Sequence, residues 1–230
     1  MPQLRSASGI LASNMRILSD AVATHAGKSI TISGWIHKKR LLGGLSFINI
    51  RDRKGLTQVI VADKEEVEKL RGLQIGTVVN VTGTVVADER APGGAELHDA
   101  KIEVIVPVVD APPVEIDKPL DHKPENLDTL FEYRPVGLRN LQETAVLKIQ
   151  ATVKDAVRKS LQANDFIEFN SPKLLSGSTE GGAEVFKLDY FGKEATLAQS
   201  AQFYKQIMVG VFERAFEINP TYRAELSATT

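Results

Sequence analysis

The sequence predicts an α+β protein of more than one domain, in which a small five-stranded β-barrel is followed by an antiparallel β-sheet with flanking helices. Residues 28–106 form short runs rich in β-branched residues, with one helical stretch among them. Five prolines follow within residues 107–128. After them, helical patterns alternate with short strands that lack the long apolar runs of a parallel sheet.

The first part of the chain is predicted to be a barrel from the order of its elements. Strands are predicted at residues 29–37, 45–52, 57–61, 77–87 and 96–106, and a helix at residues 64–73. Three strands, a helix and two further strands are the order of an OB-type Greek-key barrel. We therefore assign residues 15–106 to an OB-fold domain.

The second part begins after the proline-rich segment. Because proline fixes φ and removes a backbone donor, residues 107–128 are predicted to be a hinge or linker rather than a packed element. Between residues 129 and 230, apolar spacings of three and four predict helices near 143–163 and 200–214. Strands are predicted at 166–172, 186–191 and 194–197, and a final strand leads to Arg223.

The composition limits the possible functions. The formal net charge of the 230 residues is −1, so no global positive field attracts nucleic acid, and any RNA contact must use a local patch. There is no cysteine, which excludes disulfides and thiolate metal sites. No apolar run is long enough to cross a bilayer, and residues 1–14 lack the pattern of a signal peptide. We therefore expect a cytoplasmic protein with no membrane partner.

Phe47 is the candidate for nucleic-acid contact in the barrel. In the second predicted strand the isoleucines share the core face, whereas Phe47 and Arg51 lie on the opposite face. An exposed aromatic beside an arginine is a platform on which RNA bases stack. Gln58 on the next strand could read a base edge, and the basic residues at 37–40 add local positive charge. The alternative is that Phe47 fills the barrel, since a buried aromatic is commoner.

Lys205 is the candidate for binding a small anion. It lies near the start of the helix predicted at 200–214, where a positive charge opposes the helix dipole. That placement favours an anion there, such as a substrate carboxylate. Gln199 and Gln202 are close enough in sequence to add hydrogen bonds to a small polar ligand. The alternative is a lysine that extends its apolar stem over the surface.

Arg223 and Glu225 lie two residues apart in a predicted strand, which would turn both side chains to one face. An arginine can hold a phosphate by a bidentate pair, and a glutamate can accept a hydrogen bond from an adenine amino group. The alternative is an ordinary surface ion pair. Upstream, Glu180 precedes two glycines in a loop that could close over a ligand, although such a pair of glycines is usually only a turn.

Four segments in this order resemble the class II aminoacyl-tRNA synthetases of the aspartyl, asparaginyl and lysyl subgroup. Residues 166–172 resemble motif 1 of that family, which forms its dimer interface, and residues 178–182 resemble its flipping loop. Residues 198–206 resemble a segment of the aspartyl enzymes, with Ala201 where proline is usual. Residues 216–225 resemble the first strand of motif 2. The resemblance covers nearly the whole chain.

The resemblance implies roles for these residues. Lys205 would pair with the side chain of L-aspartate, because a cation suits a carboxylate rather than the neutral amide of asparagine. Gln199 and Glu180 would hold the ammonium end of the amino acid, Arg223 would neutralise the α-phosphate of ATP, and Glu225 would contact adenine. The implied reaction converts aspartate and Mg²⁺-bound ATP to aspartyl-adenylate and then transfers the aspartyl group to tRNA. A homodimer through the motif 1 region is also implied.

The barrel resembles the anticodon-binding domain of the same family. Phe47, Gln58 and Glu96 match its anticodon-binding positions. His37 and Pro92 match residues typical of archaeal-type, non-discriminating enzymes, which charge both tRNA(Asp) and tRNA(Asn). The predicted tRNA contacts are therefore Phe47, Gln58, Glu96, Arg51, His37 and Pro92.

The rest of motif 2 and all of motif 3 have no counterpart in the 230 residues. We therefore expect this chain to show no aspartate-dependent ATP–pyrophosphate exchange on its own. Two alternatives to an aspartate-specific ligase remain open. One is an asparagine–tRNA ligase, and the other is a non-catalytic tRNA-binding module or paralogue.

Overall fold

The chain divides into two compact units, residues 1–145 and residues 146–230. They are seen in a computed structural model that describes residues 16–42, 45–111, 113–120, 124–177 and 184–224. The fold class predicted from the sequence is confirmed, with a five-stranded barrel followed by a unit of helices and short strands. The domain boundaries at residues 15–106, 107–128 and 129–230 stay predictions.

The first unit contains a closed five-stranded barrel with the strand order β1-β2-β3-β5-β4. Strand β3 pairs in parallel with β5, and all other neighbours are antiparallel. The predicted strands and helix are confirmed. Their bounds are Ser29–Leu41 for β1, Ser46–Arg51 for β2, Leu56–Val61 for β3, Lys64–Gly72 for helix α1, Val78–Ala87 for β4 and Ala95–Val106 for β5.

Strand β2 shows how the alternating pattern builds the barrel. Ser46, Ile48 and Ile50 point into the barrel and are almost completely buried. Phe47 and Asn49 point to the outer face and are half-buried. Because successive side chains of a strand point to opposite faces, the apolar face of β2 packs in the core while its polar face stays available.

The segment before the barrel is tied to the turn between β2 and β3. Residues Ser19–His25 form a 3-10 helix, and the backbone N–H and hydroxyl of Ser19 donate to the Asp52 carboxylate at 2.7 and 2.8 Å. The same carboxylate accepts from the backbone N–H groups of Lys54 and Gly55. Asp52 therefore joins the start of the described chain to the barrel.

The proline-rich segment is packed, which differs from the expectation of a loose linker. Val114 and Ile116 are buried, and the side-chain amide of Asn140 donates to the carbonyls of Glu115 and Lys118. The segment therefore packs its apolar side chains although it is rich in proline. Helix α2 at Pro124–Glu132 begins within the segment, and the short helix α3 at Arg134–Gly137 follows.

The second unit combines helices with short strands. Helix α4 spans Leu141–Gln162 and begins before the boundary between the units. The remaining elements are β6 at Ile167–Glu168, β7 at Leu174–Leu175, β8 at Lys187–Tyr190, β9 at Lys193–Leu197, helix α5 at Gln202–Phe212 and β10 at Ala215–Phe216.

The sheet of the second unit is only partly antiparallel. Strands β7, β9 and β8 form an antiparallel sheet, as predicted, but β6 and β10 form a separate parallel pair. The final strand also ends at Phe216 and does not continue to Arg223. Parallel pairing brings together segments separated by the whole of α5, which the local pattern could not show.

Helix α4 carries an apolar row that is not in a core. Val146, Ile149, Val153 and Val157 recur at helical spacing, yet they are 62%, 64%, 55% and 44% exposed. The spacing of these residues predicted a helix, and the structure confirms it. In the described part of the chain, no helix is both long and apolar enough to span a membrane.

Candidate functional site

A cleft of about 210 Å³ opens on the outer face of the barrel. Phe47 on β2 lies opposite Arg40 of β1 and Ile60 of β3, and the next outward residue of β2, Asn49, lies opposite Gln58. The cleft is lined by Lys38, Arg40, Leu42, Phe47, Asn49 and Gln58. An aromatic ring, two cations and two amides therefore face one cleft, a combination that suits base stacking and phosphate contact.

Gln58 is held by a carboxylate behind it. Its side-chain amide donates to Glu96 Oε2 at 2.7 Å, and His98 Nε2 lies 2.8 Å from Glu96 Oε1. The Glu96 side chain is only 6% exposed. The structure thus brings together three of the predicted tRNA contacts, Phe47, Gln58 and Glu96, but places the Glu96 carboxylate below the surface.

Arg51 lies at the other end of β2 and does not line the cleft. It is buried, and its guanidinium donates to the Arg139 carbonyl and to the Thr144 hydroxyl. The guanidinium groups of Arg51 and Arg139 each lie 5.6 Å from the centre of the Trp35 ring. Its donors are used to pack the barrel against residues 139–144, which argues against the predicted direct contact of Arg51 with tRNA.

We expect Arg51→Met to lower the free energy of unfolding by about 1.5 kcal/mol, because two hydrogen bonds from a charged donor are lost while the stem is kept. The affinity for tRNA should stay within twofold of the unchanged protein. Urea denaturation and filter binding measure the two effects. Arg53→Met is a matched control, since Arg53 is exposed in the turn after β2 and should change neither. A large loss of tRNA affinity with unchanged stability would instead show that Arg51 contacts tRNA directly.

His37 and Pro92 are less exposed than residues of an open RNA-binding surface would be. His37 is 3% exposed at an irregularity in the pairing of β1 with β2. Burial lowers the pKa of its imidazole, Arg51 lowers it further, and Asp117 opposes the shift. A neutral, buried His37 adds no charge for RNA, which argues against the predicted direct contact of His37 with tRNA. Pro92 is half-buried in the 3-10 turn Pro92–Gly94 just before β5.

Lys39 is the other basic residue of this segment that turns away from the cleft. Its ammonium donates to the carbonyls of Leu70 and Leu73 at the end of helix α1, where a cation complements the helix dipole. Burial lowers the pKa of Lys39. Of the four basic residues predicted to attract RNA, only Lys38 and Arg40 line the cleft. Asn49 was missed as a site residue, although its alternation with Phe47 gave the signal.

In the second unit, hydrogen bonds hold the segment around Gln199 next to the segment that contains Arg223. The N–H of Tyr222 donates to the Ala198 carbonyl at 2.9 Å, and the buried Gln199 side chain donates to the Glu184 carbonyl at 2.9 Å. The N–H of Ala224 reaches the same Glu184 carbonyl at 3.4 Å. The segment that contains Arg223 therefore runs beside Gln199.

The other predicted substrate residues lie on helix α5 or outside the described residues. Gln202 and Lys205 belong to the first turns of α5 and are exposed. The first turn of the helix contains no acidic residue, so it offers Lys205 no carboxylate with which to pair. Glu180 and Glu225 both lie outside the described residues.

Glu217 anchors a polar cluster that the sequence did not indicate. Its buried carboxylate accepts from the N–H and hydroxyl of Ser171, from Asn219, and from the Lys173 ammonium at 3.0 Å. Burial alone would raise the pKa of Glu217, but these hydrogen bonds outweigh it and lower the pKa to about 2. The cluster fixes the residues after β6 to those after β10.

The described residues do not offer a magnesium site. Within the ranges that the structure describes, no group of three or more His, Asp or Glu side chains could hold a metal ion. Since Mg²⁺ prefers several oxygen ligands in octahedral geometry, the present residues do not fit it by themselves.

Comparison with known families agrees with this architecture. Residues 30–107 match the family described as OB-fold nucleic acid binding domain, and residues 126–230 match tRNA synthetases class II (D, K and N). The chain therefore belongs to the class II tRNA synthetases (D, K and N) and carries an OB-fold nucleic acid binding domain before the residues that match that family.

The relatives of the chain show which members of this group it is similar to. It is 42% identical over 218 residues to the aspartate–tRNA(Asp/Asn) ligase of Deinococcus radiodurans, covering 94% of this chain and 48% of that protein. The corresponding ligase of Thermus thermophilus is 41% identical, with 92% and 48% covered. The crystal structure of asparaginyl-tRNA synthetase from Pyrococcus horikoshii with asparaginyl-adenylate matches with a TM-score of 0.82 at 36% identity, covering 94% and 50%. The chain spans about half the length of the curated relatives it matches.

Proposed function

We propose that the chain supplies the anticodon-binding barrel and the first part of the catalytic domain of an aspartate–tRNA ligase that charges tRNA(Asp) and tRNA(Asn). The observation that carries the proposal is the barrel cleft, which combines Phe47 and Gln58 with the cations Lys38 and Arg40. The names of the relatives from Deinococcus and Thermus support the choice of amino acid and of both tRNAs.

In this proposal the barrel binds the anticodon loop. A base stacks on Phe47, Gln58 contacts its edge, and Lys38 and Arg40 hold neighbouring phosphates. The total charge of −1 gives no long-range attraction, so this local pair of cations sets where RNA approaches. Pro92 acts by shaping the turn before β5, and the buried His37 acts indirectly, through the residues packed around it.

The second unit would bind aspartate and ATP. Lys205 pairs with the aspartate side chain, while Gln199, Gln202 and Glu180 bind the polar atoms of the amino acid. Arg223 holds the α-phosphate of ATP and Glu225 contacts the adenine. The site then works by holding the aspartate carboxylate in line with the phosphate and by neutralising charge. Magnesium would accompany ATP, and no step proposed for these residues depends on it.

We further propose that the whole protein is a cytoplasmic homodimer in which helix α4 and the motif 1 segment meet a second copy. The exposed apolar row of α4 supports this, because four aliphatic side chains at helical spacing suit burial against another protein surface. The motif 1 residues 166–172 follow the helix directly, and the short strand β6 lies within them.

A filter-binding assay tests the proposed RNA contact. The chain is expected to bind transcripts of tRNA(Asp) and tRNA(Asn) with affinities within threefold of each other. A tRNA(Phe) transcript should bind at least tenfold more weakly, since mismatched contacts typically cost 1–3 kcal/mol. Equal binding of all three transcripts would contradict the proposal. If the chain binds tRNA(Asp) but not tRNA(Asn), the proposal is limited to an enzyme that charges only tRNA(Asp).

The closest second candidate is an asparagine–tRNA ligase, which the match to the Pyrococcus structure favours. Isothermal titration decides between them. If Lys205 meets a carboxylate, aspartate should bind at least tenfold more tightly than asparagine, and Lys205→Ala should remove that preference. Lys193→Ala, at an exposed residue of β9, is the control and should keep it. Preference for asparagine would overturn the assignment of aspartate, and no binding of either amino acid would favour a non-catalytic tRNA-binding module.

A further inference from the structure

A cavity of about 810 Å³ opens within the first unit, between one end of the barrel and the proline-rich segment. Its walls come from the residues after helix α1, from residues 108–118 and from residues 133–139. Pockets that hold small ligands have volumes of roughly 300–1,000 Å³. No residue of the barrel cleft that contains Phe47 lines this cavity, so the two are separate sites.

The deep part of the cavity is aliphatic. Val114 and Ile116 are buried, and Ile75 and Val108, which also line the cavity, are half-buried. Among the described residues of the lining, Tyr133 is the only aromatic, so the cavity does not offer a pair of rings between which a flat base would stack. Branched aliphatic walls instead suit a flexible hydrocarbon chain, whose burial is favourable in proportion to its area.

Most of the charged groups that line the cavity already have partners. The ammonium of Lys118 donates to Glu115 at 2.7 Å, and Glu115 and Asp117 both raise the pKa of Lys118. The ammonium of Lys39 donates to backbone carbonyls at the end of helix α1. Asp110 is exposed and is the carboxylate of the lining that could favour a cation.

Arg139 is the cation of the lining that no carboxylate neutralises. Among the described residues its guanidinium has no hydrogen bond and no ion pair, and it lies 5.6 Å from the centre of the Trp35 ring. The guanidinium of Arg51 lies at the same distance from that ring, so two positive charges share one aromatic group. The buried indole N–H of Trp35 also has no acceptor there. Donors therefore exceed acceptors around Arg139, and a carboxylate with two oxygens would match its fork.

We propose that the cavity binds an aliphatic carboxylate, with its hydrocarbon chain against Val114 and Ile116 and its carboxylate paired with Arg139 at the rim. The ligand class is that of medium-chain fatty acids. The proposal is independent of the proposed function, since it uses neither the barrel cleft nor the residues assigned to aspartate and ATP. The opposite arrangement, a cationic amphiphile held by Asp110, is a rival outcome of the test.

Isothermal titration of the unchanged chain with decanoate, decanol and decylamine tests the chemistry of the site. Decanoate is expected to bind at least tenfold more tightly than either analogue, because only a carboxylate pairs with Arg139. Octanoate and hexanoate should bind more weakly, by about fourfold for each CH₂ group removed from the cavity. The proposal is overturned by absence of decanoate binding, by equally tight binding of decylamine, or by an affinity that does not depend on chain length.

Variants of Arg139 test where the carboxylate lies. Arg139→Gln should weaken decanoate by about tenfold, so that decanoate and decanol bind alike. Arg139→Lys keeps the charge without the fork and should lose about threefold. Arg134→Gln is the matched control, since the Arg134 guanidinium lies 5.7 Å from the Phe131 ring outside the cavity, and it should keep the preference for the acid. An unchanged preference in Arg139→Gln would show that Arg139 does not hold the carboxylate.

A cavity-filling variant tests where the chain lies. Val136 is half-buried in the lining, so Val136→Phe should weaken decanoate at least tenfold by occupying its space. Val146→Phe, on the exposed row of helix α4, is the control and should bind decanoate normally. If Val136→Phe keeps the affinity of the unchanged chain, the acid binds elsewhere and the proposal fails. Far-UV circular dichroism spectra that match the unchanged chain distinguish lost binding from lost folding, and the ligand series on the unchanged chain needs no variant.

Discussion

Replacement of Phe47 by alanine is expected to weaken binding of an RNA hairpin with the aspartate anticodon loop by roughly tenfold to a hundredfold. Stacking of a base on an aromatic side chain is worth about 1–3 kcal/mol, and Phe47 is the aromatic ring of the cleft. Its ring lies on the outer face of β2, so its loss opens no cavity in the core formed by Ile48 and Ile50. Stability should therefore change much less than affinity.

Filter binding over a series of salt concentrations measures this effect. The slope of log affinity against log salt should be unchanged in Phe47→Ala, since the phosphate contacts of Lys38 and Arg40 remain. Phe191→Ala removes an aromatic ring that is 91% exposed in the turn between β8 and β9, and it should leave RNA binding unaltered. If both variants bind as tightly as the unchanged chain, Phe47 does not stack on RNA.

The second large effect is expected at Glu217. Its folded-state pKa of about 2 lies below the ordinary value of 4.5, so the unfolded chain binds more protons between these values. The stabilisation is fully present above about pH 4.5 and is lost as the pH falls toward 2. A shift of this size corresponds to roughly 3 kcal/mol, and the carboxylate is only 5% exposed, so little of it is screened by solvent.

Glu217→Gln should therefore lower the free energy of unfolding of the second unit by about 2–3 kcal/mol at pH 7 and flatten its decline below pH 4.5. Urea denaturation at pH 7, 4 and 3 gives both quantities. The control is Glu194→Gln, which breaks a pair with Lys187 whose side chains are more than 60% exposed, and it should cost less than about 0.5 kcal/mol. Parallel pH profiles for the unchanged chain and Glu217→Gln would refute the role of Glu217.

Local pattern predicted the barrel well because its strands pair mainly with near neighbours in sequence. The alternation in β2 was enough to place Ile48 inside and Phe47 outside. The same alternation placed Arg51 on the outer face, but it could not predict that Arg51 is buried there. Arg51 is covered by residues 139–144, almost ninety positions later, and no local rule reports such a contact. The burial of His37 has a related cause, since the charges that act on it include Asp117, eighty positions later in the sequence.

The second unit was less predictable, for a different reason. Its strands are two to five residues long, and β6 and β10 pair in parallel across a helix. Short strands carry little periodic signal, and parallel partners are distant in sequence. The Glu217 cluster likewise joins Ser171 and Lys173 to a residue more than forty positions away. Motif resemblance put Gln199 and Arg223 among the predicted substrate residues, and the hydrogen bonds at Ala198 and Glu184 show why their segments lie together.

Trp35, over whose ring the guanidinium groups of Arg51 and Arg139 lie, can serve as an intrinsic fluorescent probe. Trp35 is the sole tryptophan in the sequence, and it belongs to the first unit. Three of the four tyrosines, Tyr190, Tyr204 and Tyr222, belong to the second. Emission excited at the red edge of the indole band thus follows the first unit alone, whereas three of the four tyrosines report on the second. Comparing the tryptophan and tyrosine signals gives the order in which the two units unfold, without an attached dye.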